Sequence, residues 1–224
     1  MADILLLCFD APLQAWGLRA RWDVRDSGDE PTKSGVIGLL GCALGYPVGD
    51  VRLEQLDRVL RMGVRVEVPG SKVVDFQTVS EVTRTANNQK PNDMNPIVSP
   101  REYVQDAIFL VALDGPKEVL RQCADALRNP RWPVYLGRKS CVPSRPVFQE
   151  LTATYESLDE ALRVYPWLGR SLTGTPPQRL RCVIEDDTGD HIRPDRIRTN
   201  RARMYQQRTV TIKWVPTPGI SQSA

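Results

Sequence analysis

Three stretches of this 224-residue chain set cations beside aromatic, small or hydroxyl residues, the chemistry that grips phosphates and single-stranded nucleic acid. In "RWPVYLGRKSCVPSRP", Tyr135, Gly137, Arg138 and Lys139 fall within five residues, so bases could stack, phosphates pair and the backbone come close. A surface turn that happens to carry two cations accounts for the same residues. "HIRPDRIRTNRARMYQQR" holds arginines at 193, 196, 198, 201, 203 and 208 against one acid, Asp195. That density fits an anionic partner, and it fits a solvated hairpin face equally well.

The third stretch, "GDEPTKSG", fails as a P-loop. Four residues after Gly28 the motif requires Gly-Lys-Ser/Thr, and Lys33-Ser34-Gly35 stands there. What remains is Thr32, Lys33 and Ser34 at a helix start, where a hydroxyl, an ammonium and free N–H groups suit one phosphate. A plain N-cap followed by a solvated lysine is the alternative. Cys141 has no histidine near it in sequence, so a buried structural thiol is favoured over a nucleophile. The five cysteines are odd in number, scattered and free of CxxC, and His191 is the sole histidine, which argues against a disulfide framework, a metal site or a metal cofactor.

These residues need elements to hold them. Ile4 to Phe9 reads as a buried strand, followed by a polar loop to Lys33. Pro31 to Pro47 reads as a helix with glycines at 35, 38, 41 and 45, a spacing that puts them on one side. They would admit close packing on a sheet or a nucleic-acid backbone. "VRLEQLDRVLRM" predicts a helix with Leu53, Leu56, Val59 and Leu60 on one face and Gly63 as its C-cap. "VRVEV", "KVVDFQTV" and "DAIFLVAL" predict strands. Between the last two, the polar residues to Arg101 form a protruding insertion with no core. An amphipathic helix from Pro116 buries Val119, Leu120, Cys123 and Leu127 and stops before Pro130. After Pro146 a smaller unit begins with a capping box at Ser157 to Glu160 and strands "RLRCVIE" and "TVTIKW" around the turn "DDTGD".

The predicted fold is therefore α+β. Its first part, residues 1–146, has the element order of a ferredoxin-like (RRM-like) domain with a thumb insertion over about 77–101. Residues 147–224 form a small β-rich C-terminal domain. With 41% apolar and 25% charged residues the chain is globular, and a net charge of +3 leaves anion binding to local clustering. "ILLLCF" is too short for a membrane span or signal core, so a cytoplasmic location without membrane attachment is expected.

"PLQAWG", "PTKSGVIGLLGCALG", "SPREYVQDAIFLVAL" and "PVYLGRKSCVP", in that order over about the first 150 residues, resemble the Cas five family of CRISPR-associated proteins, in its type I-E branch. Past Val147 the match is loose. The resemblance implies a non-catalytic subunit of a Cascade surveillance complex that grips the 5′ handle of the crRNA. It implies as partners the CasC backbone subunits whose filament it caps, the CasA large subunit, and target DNA indirectly through the complex. RNA contacts are implied for Gln14, Trp16, Lys33, Ser34, Arg101, Tyr135, Gly137, Arg138, Lys139, Arg201 and Arg203. The thumb would press between the guide and the first backbone subunit, and the glycine side of the first helix would pack on the sheet. Type I-C relatives cut precursor RNA with a tyrosine, a lysine and a histidine. The alternative is thus a metal-independent endoribonuclease using Tyr46, His191 and a lysine, though this chain has no Lys-His pair.

Overall fold

A computed structural model describes residues 3–18, 25–79, 97–169, 176–198 and 204–219. The apolar run at the start is β1 (Ile4–Asp10), with all seven residues buried. A strand that is apolar at every position from Ile4 to Phe9 needs cover on both faces. It has it: Leu5, Leu7 and Phe9 join one core cluster, and Ile4 and Leu6 a second. Antiparallel partners flank it, β6 (Ile108–Asp114) in register Ile4↔Asp114 and β7 (Phe148–Thr152) from Ile4↔Thr152.

The large sheet continues through β3 (Arg61–Val68), β8 (Arg179–Glu185), β10 (Met204–Pro216) and β9 (His191–Arg198), in the order β7-β1-β6-β3-β8-β10-β9. Residues beyond Pro146, read above as a smaller unit, thus supply β7 near one edge and β8, β10 and β9 toward the other. The second sheet has the order β2-β5-β4, from β2 (Leu13–Gln14), β4 (Ser71–Val79) and β5 (Ile97–Gln105). β4 and β5 pair from Ser71↔Gln105 to Val79↔Ile97, so the expected insertion opens from a regular hairpin. Its middle, 80–96, lies outside the described residues.

Helices cover both faces of the large sheet. Against the Leu5/Leu7/Phe9 face pack α1 (Lys33–Leu44), α2 (Val51–Val59) and α3 (Lys117–Arg128), and against the other α4 (Leu158–Val164). In α3 the predicted Leu120, Cys123 and Leu127 are buried together with Ala124, which the stripe did not include, and Val119 is only half-buried. Ser157 Oγ caps α4 by accepting from Glu160 N at 3.2 Å, while the Glu160 carboxylate accepts from Glu156 N at 2.7 Å, one residue earlier than a reciprocal capping box.

Two expectations are corrected. Gly63 does not cap the second helix. The chain is already extended at Leu60, and Gly63 sits inside β3, paired with Ala112 and Ile184, where a Cβ would come 2.7 Å from Leu162. Nor do the α1 glycines form one face against the sheet. Gly35 makes room for the Trp16 ring, Gly41 for Leu53 of α2, and Gly45 takes the left-handed cap conformation at φ 76°; Gly38 is exposed with nothing within 4 Å of its missing Cβ.

Candidate nucleic-acid interface

The loop holding Tyr135 to Lys139 is fixed by its own backbone and by the segment after β1. Leu136 N donates to the Cys141 carbonyl at 2.8 Å, and Ala15 N to the Leu136 carbonyl at 3.1 Å. Gly137 has φ 90°, and its Cα lies so close to the Ala15 carbonyl that any side chain would collide with it. Arg138 stacks over the Tyr103 ring at 4.4 Å and donates to the Glu102 carbonyl at 2.8 Å and the Arg25 carbonyl at 2.9 Å. Arg25 in turn bridges β5, with Arg25 N donating to the Pro100 carbonyl at 3.1 Å and Glu102 N to the Arg25 carbonyl at 2.9 Å. Arg25, Arg101 and Arg138 therefore gather at one side of β5, while exposed Lys139 and half-buried Tyr135 belong to the loop that carries Arg138.

Of this group Lys139 and Arg25 are exposed, and Arg101 and Arg138 are half-buried. The Arg101 Nε atom is buried and has no hydrogen-bond partner among the described residues, and neither has Ser99 Oγ two positions earlier on the same side of β5. Arg25 was absent from the sequence-based candidates. Its signal was one of three arginines in a polar loop, and only the bridge to Arg101 gives it a place.

Three candidates lie inside the protein instead. Gln14 is fully buried and donates from Nε2 to the Ala107 carbonyl at 2.7 Å. Trp16 is fully buried too, stacked on Phe9 at 5.3 Å between ring centroids, with Nε1 donating to Gln14 Oε1 at 3.2 Å. A loop sequence that reads as a contact surface is thus a buried plug, because the indole and the amide satisfy each other. Lys33 is 1% exposed, and its ammonium lies 2.8 Å from both carboxylate oxygens of Glu185. Burial pushes the Lys33 pKa down, and the Glu185 carboxylate works against that shift.

The start of α1 is likewise occupied. Thr32 Oγ1 accepts from Gly35 N at 3.3 Å and Asp195 Oδ2 from Lys33 N at 2.8 Å, so these N–H groups have protein acceptors rather than an open anion site. Half-buried Ser34 has its Oγ 3.5 Å from Thr32 Oγ1. Arg208 completes the cluster with two bonds to Asp195, at 2.7 and 3.0 Å. Lys33, Arg208, Glu185 and Asp195 form a buried quartet with no net charge. Sequence reasoning missed Glu185 and Asp195 as its acids.

The arginine run is also largely spent inside the chain. Arg193 pairs with Glu30 at 2.8 Å, Arg196 with Asp57 at 3.0 Å and Arg208 with Asp195. Arg198 is exposed, and Arg201 and Arg203 lie outside the described residues. Burial raises the pKa of Asp57, opposed by Lys33 and Arg196. Cys141 is 1% exposed with its pKa raised by burial, so it is not a thiolate nucleophile. Among the described residues no group of three or more His, Cys, Asp or Glu is arranged to hold a metal ion, and no helix is long and apolar enough to cross a membrane.

The fold has close likenesses among solved structures. One described as "Crystal structure of Cas protein" is 36% identical, covers 96% of this chain and 97% of that one, and superposes with a TM-score of 0.71. A chain of a "CRISPR RNA-guided surveillance complex" is 29% identical, covers 96% and 91%, and gives a TM-score of 0.77. CRISPR-associated protein is the class these likenesses define. The family model described as "CRISPR-associated protein (Cas_Cas5)" matches residues 4–211, and the chain belongs to that Cas5 family. The match runs well past Val147, where the sequence motifs fade. The curated relative "CRISPR system Cascade subunit CasD" of Escherichia coli (strain K12) is 33% identical over 162 residues, 66% of this chain and 70% of that protein.

Proposed function

We propose that the chain is a non-catalytic subunit of a type I-E Cascade complex, holding the crRNA 5′ handle and capping the CasC filament beside CasA. Target DNA is met only through the assembled complex, in the cytoplasm. The observation that carries this reading is the Cas5 family match over residues 4–211, with likeness to both CasD and a chain of a surveillance complex. Arg25, Arg101 and Arg138 gathered beside β5, with Lys139 and Tyr135 in the loop that carries Arg138, support it with the right chemistry, cations for phosphates and an aromatic for a base. The strand order β7-β1-β6-β3, with helices after β1 and β6, supports the ferredoxin-like assignment, and the β4–β5 hairpin supports a thumb over about 77–101.

The environments of Tyr46 and His191 favour the non-catalytic reading over the endoribonuclease. Arg52 lies 3.9 Å over the Tyr46 ring, whereas His191 Nδ1 is 2.7 Å from Asp190 Oδ1 at the start of β9. Among the described residues neither hydrogen-bonds the other or a lysine. The test is fluorescence anisotropy with labelled repeat RNA over a salt series. Preference for the 5′-handle segment over a scrambled oligonucleotide, with affinity falling steeply as salt rises, supports the proposal. Equal binding of both overturns it.

A further inference from the structure

A cleft of about 440 Å³ opens between the large sheet and the β4–β5 hairpin, on the side of β5 opposite Tyr103 and Arg138. Strand register builds it. Val66, Arg181 and Trp214 are neighbours in one row across β3, β8 and β10, and Lys72 and Val104 are paired on the facing hairpin. Pro69, Pro177 and Leu180 add apolar lining, and Asp29, Glu67, Ser71 and Arg179 supply its further polar part. Trp214 is 56% exposed and lines the cleft together with Val66, Pro69 and Val104, so its indole stands half in solvent at a wall that is otherwise largely apolar. Volume and lining both match a small-ligand site, which typically spans about 300–1,000 Å³ with a few placed polar groups.

The cations at its rim differ in one respect. Arg181 is held by Glu30 and Lys72 by Asp29, at 2.8 and 2.9 Å. Among the described residues Arg179 donates only to the Trp214 carbonyl, at 3.3 Å, and no carboxylate lies within ion-pair distance of it. A flat aromatic platform, an apolar floor and a guanidinium with no acid paired to it among the described residues suit a planar heteroaromatic ring joined to an anion. An apolar peptide would leave that guanidinium without a partner.

We propose that this cleft receives one unstacked base of the bound RNA, the base lying on the Trp214 indole and its phosphate meeting Arg179. The proposal rests on the RNA-binding reading above. It adds a second contact region, separated by the β2-β5-β4 sheet from the Arg138 strip. Val74 and Phe76, exposed on the same hairpin face as Lys72, extend the apolar surface outward from the cleft.

The test uses the full chain with labelled repeat RNA, by anisotropy over a salt series. Trp214→Ala should bind about tenfold more weakly with an unchanged salt slope, and Trp214→Phe should recover most of the loss, because stacking tolerates any aromatic face. Arg179→Ala should reduce the slope by about 0.7, as expected for one phosphate contact on a single strand. An abasic nucleotide at one RNA position should reproduce the Trp214→Ala loss and add nothing to it. Melting curves of all three variants should match the wild type. Wild-type RNA binding by Trp214→Ala overturns this proposal alone, and if that variant instead loses a co-purifying protein, the cleft is a protein-docking site. A wild-type chain that binds no RNA overturns the functional reading and this one with it.

Discussion

The Lys33 ammonium lies 2.8 Å from both carboxylate oxygens of Glu185, tying the first residue of α1 to the last residue of β8 across 152 positions of sequence. At 1% and 9% side-chain exposure this pair is a joint in the fold, not a surface cation and its counter-ion.

Removing one partner strands a buried charge. Lys33→Met should lower stability by about 3 kcal/mol, at the low end for a broken buried pair because Arg208 Nη1, 3.9 Å away, still faces Glu185. Lys33→Met combined with Glu185→Gln should recover much of it, since the amide can still accept from Met62 N. Urea denaturation measures both. Weakened RNA binding with an unchanged urea midpoint would instead make Lys33 a phosphate contact.

Arg138 and Lys139 should separate into different roles. Arg138→Ala removes the guanidinium that joins Tyr103, Glu102 and Arg25, so its melting temperature should fall along with RNA affinity. Exposed Lys139→Ala should leave the melt unchanged and lower the salt slope by about 0.7. Identical behaviour of the two variants would contradict this division.

Thiol chemistry reports the same packing. Burial raises Cys8, Cys123 and Cys182 to about 12, so each is overwhelmingly a protonated thiol near neutral pH. At pH 8 roughly one part in ten thousand of such a group is thiolate, the reactive form. Half-buried Cys42 is the cysteine expected to take iodoacetamide in the native chain at pH 8, against all five in denaturant. Cys42→Ser should abolish native labelling, and rapid uptake at two or more sites would refute the packing.

Much of the fold was legible in the sequence because its signals are local. The continuous apolar β1, the α3 stripe and the Thr32 and Ser157 caps each follow from residues within a few positions. The site was far less so. Trp16 and Gln14 lie in a loop sequence that reads as polar, and their burial depends on Phe9, Ser27 and Ala107, the last 93 residues from Gln14. Arginines 193, 196 and 208 read as a surface run until Glu30, Asp57 and Asp195 are brought to them by strand pairing. Charge density along a chain does not tell an internal carboxylate from an external phosphate.

The thumb can be cut away cleanly if it serves assembly. Val79 and Ile97 face each other across the hairpin, so a short Gly-Ser turn can close it in place of Glu81 to Pro96. The trimmed chain should keep its melting temperature within a few degrees and lose backbone subunits on purification. A collapsed melt would place the insertion in the core, and full assembly would remove its role.

No cleavage of repeat RNA is expected in chelator, with Tyr46 beside Arg52 and His191 bonded to Asp190. Discrete products that vanish in His191→Ala or Tyr46→Phe would reverse that assignment.

The most direct test is to purify the tagged chain from cells expressing its own CRISPR locus and to sequence the RNA that comes with it. The account predicts guide RNAs sharing one repeat-derived 5′ end, recovered together with backbone subunits and lost in steps as salt is raised. Recovery of the chain without RNA, or with RNA lacking a common 5′ end, would contradict it.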